Sequence, residues 1–486
     1  MRQRIFCRGE EISCGISAKN PMRRESGASG SLQGLLKATS YLFGKACLIP
    51  IGNHRWEFSR WEFSLDIQLR ISLQLTWSDR IRTRSETATN RPLNDRQKNS
   101  LLKGKVMSPS EAEKNRRVKV LNERMKRENL DALLVVGDTA KVSSKGVGSF
   151  RYLTDFMVYA NYDLLLLFTE SEPVMLAASE NTHYWASKRS WIADVRLSTQ
   201  YSSDVVKILN ERVKRDHGRL GLVAIGALPP SHFTYLQENL KNWQFIDADP
   251  ILLDLRFAKS EEEQRLLKKA GEIVDASFQA VQKVIKPGVK EYEIVGFLEG
   301  FHRGNGAEQT FNLISSGPFP GTKEQRFPTL PSSPSDREIK KGDAICLEIT
   351  AAYRGYWNQL VREVVVGKEN RDLSSFTNAL VKTVRAGVGS MKPGKKTKDF
   401  ITSMEKCAEK EGFKLTPPMG HYVGLDLQEP QMSPEIQLVL RSGTSAIVHP
   451  TIADEKGTRV FWGETYIVGE NEAIPLNQTN DDLLVI

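Results

Sequence analysis

Cysteine is scarce: Cys7, Cys14, Cys47, Cys346 and Cys407 are scattered over 486 positions, too few and too far apart for a disulfide framework or a zinc cluster. That usage points to a reducing compartment, so cytoplasmic placement is the expectation. No window holds eighteen consecutive apolar residues, so neither a transmembrane helix nor a membrane partner is expected. Beyond residue 106 the chain also lacks an excess of charge of one sign. The net +9 arises in residues 1–106, with 19 Lys and Arg against 9 Asp and Glu; the remainder carries 49 against 50. A phosphate-binding surface needs a local basic excess, so no nucleic-acid partner is expected. What is present is ordinary globular usage, 40% hydrophobic and 26% charged, in a chain long enough for roughly two to four domains.

Residues 1–106 contain a direct repeat, Arg55-Trp56-Glu57-Phe58-Ser59 followed by Arg60-Trp61-Glu62-Phe63-Ser64, but no sustained helical or strand period. They lack the apolar core of a secretory signal, and Glu10 with Glu11 fits poorly with an acid-poor transit peptide. The segment reads as a disordered or spurious extension. The character changes at Met107, where Ser108-Pro109-Ser110 leads into a charged amphipathic stretch, which marks Met107 as the expected true start.

From Glu111, apolar residues at Val118, Leu121 and Met125 recur at helical spacing, and the run from Asp131 to Gly137 reads as a buried strand. The segments 163–169 and 174–178 flank a Glu170-Ser171-Glu172-Pro173 turn and predict a hairpin. A helix over 202–214 and a strand over 218–225 complete an α/β domain spanning 107–258. A second domain, 259–486, opens on a capping box at Ser260 and Glu263. Its helix stops at Lys286-Pro287-Gly288, and a second helix near 373–391 stops at Lys392-Pro393-Gly394. Each stop precedes another helical stretch, which hints at two similar halves. Strands are predicted at 343–349, 356–366, 444–448 and 464–468.

Gly342-Asp343 opens one strand, Tyr353-Arg354-Gly355-Tyr356 precedes the next, Gly420-His421-Tyr422-Val423-Gly424-Leu425 forms a glycine-flanked histidine turn, and Glu464-Thr465-Tyr466-Ile467-Val468 follows late in the chain. In order and spacing these motifs resemble the creatinase, prolidase and aminopeptidase P family. The resemblance implies an α/β (α+β) fold, with a creatinase-like N-terminal domain before a pita-bread domain of pseudo-twofold symmetry, and a homodimer. Peptidases of the family hold two metals through two Asp, one His and two Glu. At the matching positions this chain has Glu348, Gln359, His421, His449 and Gly463, so the resemblance implies no metal and no cofactor. Gln428-Glu429 stands where the peptidases write His-Glu. Creatinase, which works without metal, is the nearest chemical precedent, but its catalytic His falls at Pro331, so creatine is not carried over as substrate.

These positions imply a hydrolase or lyase acting without metal on a small nitrogenous or imino-acid-like molecule. His421 and Glu348 are its acid/base pair, and Tyr356, Trp357, Gln359, Arg362, Gln428 and His449 its substrate-binding residues. Two alternatives stay open: an inactive binding or scaffold protein, and a mononuclear metal enzyme using Glu348, His421 and His449. Glu348 can instead form an ion pair with Arg362. Cys346, two residues before Glu348 on the same strand face, reads as a small buried hydrophobe, and the Pro-rich loop 319–334 as either a lid or a rigid surface loop.

Overall fold

The computed structural model describes residues 6–7, 10–11, 109–139, 147–320 and 330–486. Two units separate near Asn94. In the first, Phe6–Cys7 pairs antiparallel with Glu10–Glu11. The pentapeptide repeat, the Met107 start and, apart from these four residues, the disorder expected for residues 1–106 lie outside the described residues.

The second unit begins with α1 (Glu111–Arg127), capped by Ser110, whose hydroxyl accepts from the Glu113 amide. The strands that follow are β1 (Ala132–Asp138), β2 (Tyr162–Phe168), β3 (Val174–Ala177), β4 (Asp194–Leu197), β5 (Gly218–Val223) and β6 (Trp243–Asp247). They form one mixed sheet in the order β4-β3-β2-β1-β5-β6, with the expected β2/β3 hairpin antiparallel. Nearly every residue of β1, β2 and β3 is buried, the signature of strands covered on both faces. α2 (Val147–Thr154), α3 (Glu180–Arg189), α4 (Tyr201–Val213), α5 (Pro230–Asn239) and α6 (Asp249–Phe257) accompany this sheet.

The C-terminal half is built twice over. Its helices are α7 (Glu261–Val281), α8 (Glu291–Gly304), α9 (Arg371–Val388) and α10 (Thr397–Lys410). After α7, Gly288 donates to the Ile339 carbonyl and Lys290 to the Glu293 carboxylate; after α9, Gly394 donates to the Leu440 carbonyl and Lys396 to the Asp399 carboxylate. The correspondence extends into the sheet. Gly342 donates to Val366 and Val366 to Asp343, while Gly443 donates to Val468 and Val468 to Thr444. Two halves with matched helix stops, caps and strand openings make the pseudo-twofold pita-bread arrangement.

The large sheet runs β8-β9-β10-β16-β13-β12, with β8 (Leu313–Pro318), β9 (Asp343–Tyr353), β10 (Tyr356–Val365), β12 (Gly420–Tyr422), β13 (Ser445–Val448) and β16 (Gly463–Val468); Gln309–Thr310 (β7), Ala473–Pro475 (β17) and Leu484–Val485 (β18) pair at its edges. A separate three-stranded sheet joins β11 (Lys414–Thr416), β14 (Thr451–Ala453) and β15 (Arg459–Phe461). β9 and β10 pair antiparallel over ten positions, Ala344 opposite Val365 through Tyr353 opposite Tyr356. That register decides which side chains share a face. Cys346, Glu348, Gln359 and Glu363 fall on one side, while Leu347, Leu360 and Arg362 fall on the other.

Buried charge ties the two halves together. Arg256, at the end of α6, reaches Asp426 at 2.8 Å and Glu429 at 3.1 Å, and Lys259 reaches the other Glu429 oxygen at 2.7 Å. Asp426 also accepts from the Gly148 amide at 2.7 Å. A second cluster joins Arg117 of α1 to Glu113, Glu263 and the Tyr356 hydroxyl. In each cluster the charges offset one another, so removing one member leaves a buried partner uncompensated. Arg256→Met is expected to lower stability by about 3–5 kcal/mol, measured by urea denaturation. An unchanged midpoint would show that the halves are held by other contacts.

Candidate functional site

A cavity of about 650 Å³ opens at one end of the large sheet, lined by Glu348, Gln428, His421, His449 and Phe461 together with Leu313, Leu330, Pro331, Pro417, Pro418 and Met432. β9 supplies Glu348 and β12 supplies His421. His421 sits opposite Ile447 in the β12/β13 pair. Gly420, just before it, has φ +130°, and a Cβ there would lie 2.2 Å from the Ile447 carbonyl oxygen. Only glycine lets β12 approach this closely, which gives the glycine before the histidine its physical reason.

His421 and His449 meet edge to face with centroids 5.1 Å apart, and His449 meets Phe461 in the same way, also at 5.1 Å. The His421 Nδ1 faces the Tyr422 carbonyl at 3.2 Å. A carbonyl can only accept, so Nδ1 carries the proton and Nε2 is left as an acceptor. Neither ring nitrogen of His449 meets a hydrogen-bond partner among the described residues. Burial holds His421 down to about 4, against the opposing pull of the Tyr422 and Leu427 backbone. Burial, reinforced by His421, takes His449 to about 3. Both imidazoles are therefore neutral at pH 7.

Glu348 accepts a short hydrogen bond from the Gln359 side-chain amide nitrogen, and the Gln359 side-chain oxygen is buried without a partner among the described residues. Burial pushes the Glu348 carboxyl up to about 7, a rise that the Gln359 bond opposes. The expected alternative of a Glu348–Arg362 ion pair is not formed. Arg362 lies on the opposite face of β10, where it meets Glu464 at 2.6 Å and stacks over Trp462 at 4.2 Å. It stabilises the sheet and does not face the cavity.

Tyr356 is likewise placed elsewhere: its hydroxyl donates to Glu263 at 2.8 Å and accepts from Arg117 at 3.1 Å, between the two halves of the chain. Trp357 packs with Ala352, Val423, Leu427 and Ile447. Of the eight residues expected at the site, Glu348, His421, His449 and Gln428 line the cavity and Gln359 joins it through Glu348. Tyr356, Trp357 and Arg362 are not among the lining residues. Cys346 is fully buried, its thiol pushed up by that burial and 3.9 Å from the Phe461 carbonyl. Of the Pro-rich loop, Leu330 and Pro331 reach the cavity wall; residues 321–329 lie outside the description.

Residues 265–470 match the family model described as metallopeptidase family M24, and residues 117–258 match the creatinase/prolidase N-terminal domain. The chain belongs to the creatinase/prolidase family. It is 27% identical over 283 residues to an Xaa-Pro dipeptidase of Pyrococcus horikoshii, an alignment covering 57% of this chain and 79% of that one. The solved prolidase of the same organism covers 75% of this chain and 99% of its own, with a TM-score of 0.63 and 25% identity. An X-Pro aminopeptidase structure from Thermotoga maritima gives a TM-score of 0.66 at 21% identity, covering 76% and 99%.

The metallopeptidase description implies metal, and the residues present do not fit a dinuclear centre. Gln359 presents an amide to Glu348 where a second carboxylate would bridge two ions. Gly463 offers no side chain, and a Cβ there would lie 2.3 Å from the Val448 oxygen and 2.4 Å from the His449 Cβ. The mononuclear alternative fares no better. Glu348, His421 and His449 share a cavity, but among the described residues no three His, Cys, Asp or Glu side chains are grouped to hold an ion.

Glu363 belongs to the same sheet face. It is fully buried, accepts from Thr377 at 3.1 Å and from the Phe461 amide at 3.4 Å, and burial takes its carboxyl up to about 8. Unfolded, such a carboxyl releases its proton near 4.5, so stability falls as pH rises between that value and about 8. Glu348 acts in the same direction. His302, His421 and His449, held down to about 4, 4 and 3, act oppositely below their ordinary 6.5. The two effects offset below pH 6.5, and above it the carboxyls alone remain. The expected result is a loss of stability from pH 6.5 to 8, at no more than about 1.4 kcal/mol per pH unit for each such carboxyl and levelling off for Glu348 above about 7. Glu363→Gln should flatten that loss in denaturation series across this range. An equal slope in parent and variant would contradict the assignment.

Proposed function

We propose that the chain is a hydrolase or lyase acting without a metal centre on a small nitrogenous or imino-acid-like compound, at the cavity between Glu348 and His421. The observation that carries this reading is the pairing of a carboxyl raised to about 7 with an imidazole kept neutral in one cavity. Groups whose environments push their proton affinities apart suit opposite roles in one proton-transfer cycle.

In hydrolysis, the His421 Nε2 takes a proton from water as its oxygen bonds to the electrophilic carbon. The Glu348 carboxyl gives its proton to the departing nitrogen as the C–N bond breaks. The cycle closes when His421 returns its proton and Glu348 regains one. Gln359 holds Glu348 in place, and leucine and proline side chains line much of the cavity. We extend the proposal to a twofold homodimer, the commonest closed assembly, which light scattering at micromolar concentration tests directly; a monomeric mass argues against it.

His421→Ala and Glu348→Gln should each remove nearly all turnover from a screen of Xaa-Pro dipeptides, guanidino compounds and betaines. Groups acting as one proton-transfer unit are non-additive, so the double variant should be little worse than either single one. Elemental analysis of the purified protein should find less than about one equivalent of Mn, Co or Zn, with turnover indifferent to chelators. Two tightly held metals per chain, or a true substrate turned over undiminished by both variants, would sink this reading.

A further inference from the structure

The proton transfers assigned to Glu348 and His421 leave one requirement of hydrolysis unmet. When water adds to a carbonyl, the carbonyl oxygen gains negative charge, and a fixed N–H aimed at it lowers the barrier most where water is excluded. Along the described wall, Gln431 is exposed, Gln428 and Ser433 are half-buried, and His421 and His449 are buried, each 6% exposed. Of the two imidazoles, His421 has committed its N–H to the Tyr422 carbonyl and offers a lone pair. His449 meets no partner at either nitrogen among the described residues. A neutral imidazole carries one N–H in either tautomer, and burial keeps this ring neutral. An uncommitted donor therefore remains in the buried part of the wall.

The ring is also held in place. His449 lies between β13 and β14, where the chain leaves the large sheet for the three-stranded one. His421 and Phe461 both meet it edge to face at 5.1 Å, and its Cβ crowds the place that a side chain at Gly463 would fill. None of these contacts uses a ring nitrogen. A buried N–H left unmatched costs free energy, which an acceptor brought into the cavity recovers. With 5.1 Å between the two imidazoles, one small acyl group can meet the His449 donor while its attacking water meets the His421 acceptor.

We propose that His449 donates its ring N–H to the carbonyl oxygen of the substrate, which makes it a third catalytic residue and the substrate an acyl–nitrogen compound, an amide or a ureide. The assignment rests on the hydrolase reading of this cavity and narrows it, because guanidino compounds and betaines have no carbonyl oxygen on the carbon that loses nitrogen. As the water oxygen bonds to the carbonyl carbon, one water proton passes to the His421 Nε2. The carbonyl π pair moves to oxygen, where the His449 N–H meets it without transferring its proton. When that pair re-forms the double bond, the C–N bond breaks and its electrons take the Glu348 proton. A carboxylic acid and an amine leave, and the proton on His421 returns to Glu348.

The full chain is tested with glycyl-proline for the amide and N-carbamoylglycine for the ureide, each beside its sulfur analogue, whose thiocarbonyl is a weaker acceptor. Whichever is turned over identifies the source of the carbonyl. His449→Phe, which keeps an aromatic ring between His421 and Phe461, should lower kcat about 100- to 1,000-fold with KM changed less than about threefold. His449→Gln restores a neutral N–H and should regain at least about tenfold of that loss, which a packing role would not give. Should the phenylalanine variant fail to fold, nitrogen-15 spectra of the histidine-labelled parent read the contact directly. The resonance missing from His449→Gln should move on adding the oxygen compound and move less with its sulfur analogue. Turnover of a carbonyl compound undiminished by His449→Phe, a His449→Gln no better than His449→Phe, or turnover of guanidinoacetate or glycine betaine alone would overturn the proposal and leave the hydrolase reading standing. A His449 resonance that moves for the oxygen compound without any turnover would preserve the contact and remove the hydrolase reading. Neither turnover nor a shift at millimolar concentration would reject both.

Discussion

Four buried charges determine how the rest of the molecule is arranged. Arg256 and Lys259 come from the junction between the halves of the chain, and Asp426 and Glu429 from the turn after the glycine-flanked histidine. All four are almost wholly buried, so their separation would leave ions in a medium that solvates them poorly. The turn they hold is itself tied to the histidine strand. Tyr422 donates to the Pro430 carbonyl and Glu429 donates back to Tyr422, while Leu427 supplies a backbone contact to the His421 ring. An N-terminal domain far from the cavity in sequence thus fixes the orientation of the cavity's histidine through a short chain of packed, charged and hydrogen-bonded groups.

The second constraint is shape. In the sheet, β13 and β16 run so close at Val448, His449 and Gly463 that a side chain at 463 meets backbone oxygen and the His449 Cβ. The histidine and the glycine are therefore coupled: the strands close over the place that a carboxylate would need, and His449 uses the room for an aromatic contact with Phe461. Restoring a single acidic residue at 463 would not restore the donor set, because backbone would have to move first.

Much of the architecture was legible because its signals are local. The Ser260/Glu263 capping box, the two Lys-Pro-Gly stops and the β2/β3 hairpin depend on residues within a few positions of one another, and all three form. The same holds for the facing of Glu348 and Gln359, which strand alternation and an antiparallel register place together. What sequence did not disclose is contact between distant segments. Nothing near Arg256 announces Asp426, 170 positions away, and nothing around Tyr356 announces Arg117 and Glu263. Arg362 illustrates the limit: its neighbour on the adjacent strand suggested Glu348, but a one-residue change of parity sends its side chain to the other face. Glu363 could have been found, because it shares the parity of Gln359 on a strand whose every residue is buried.

The unusual proton affinities follow from these same contacts. A buried face with no fixed cation keeps each ionisable group in its uncharged form, so carboxyls hold their protons to higher pH and imidazoles lose theirs at lower pH. Glu348 and Glu363 rise to about 7 and 8, and His421 and His449 fall to about 4 and 3. Slightly below neutrality the face carries almost no net charge, although it is built from four titratable side chains. Its state is then decided by what enters. In the proposed hydrolysis a departing nitrogen takes its proton from Glu348 and water gives one to His421, so both transfers start from the uncharged forms that burial maintains. A pocket that kept its acid permanently ionised would have no proton to give to a departing nitrogen.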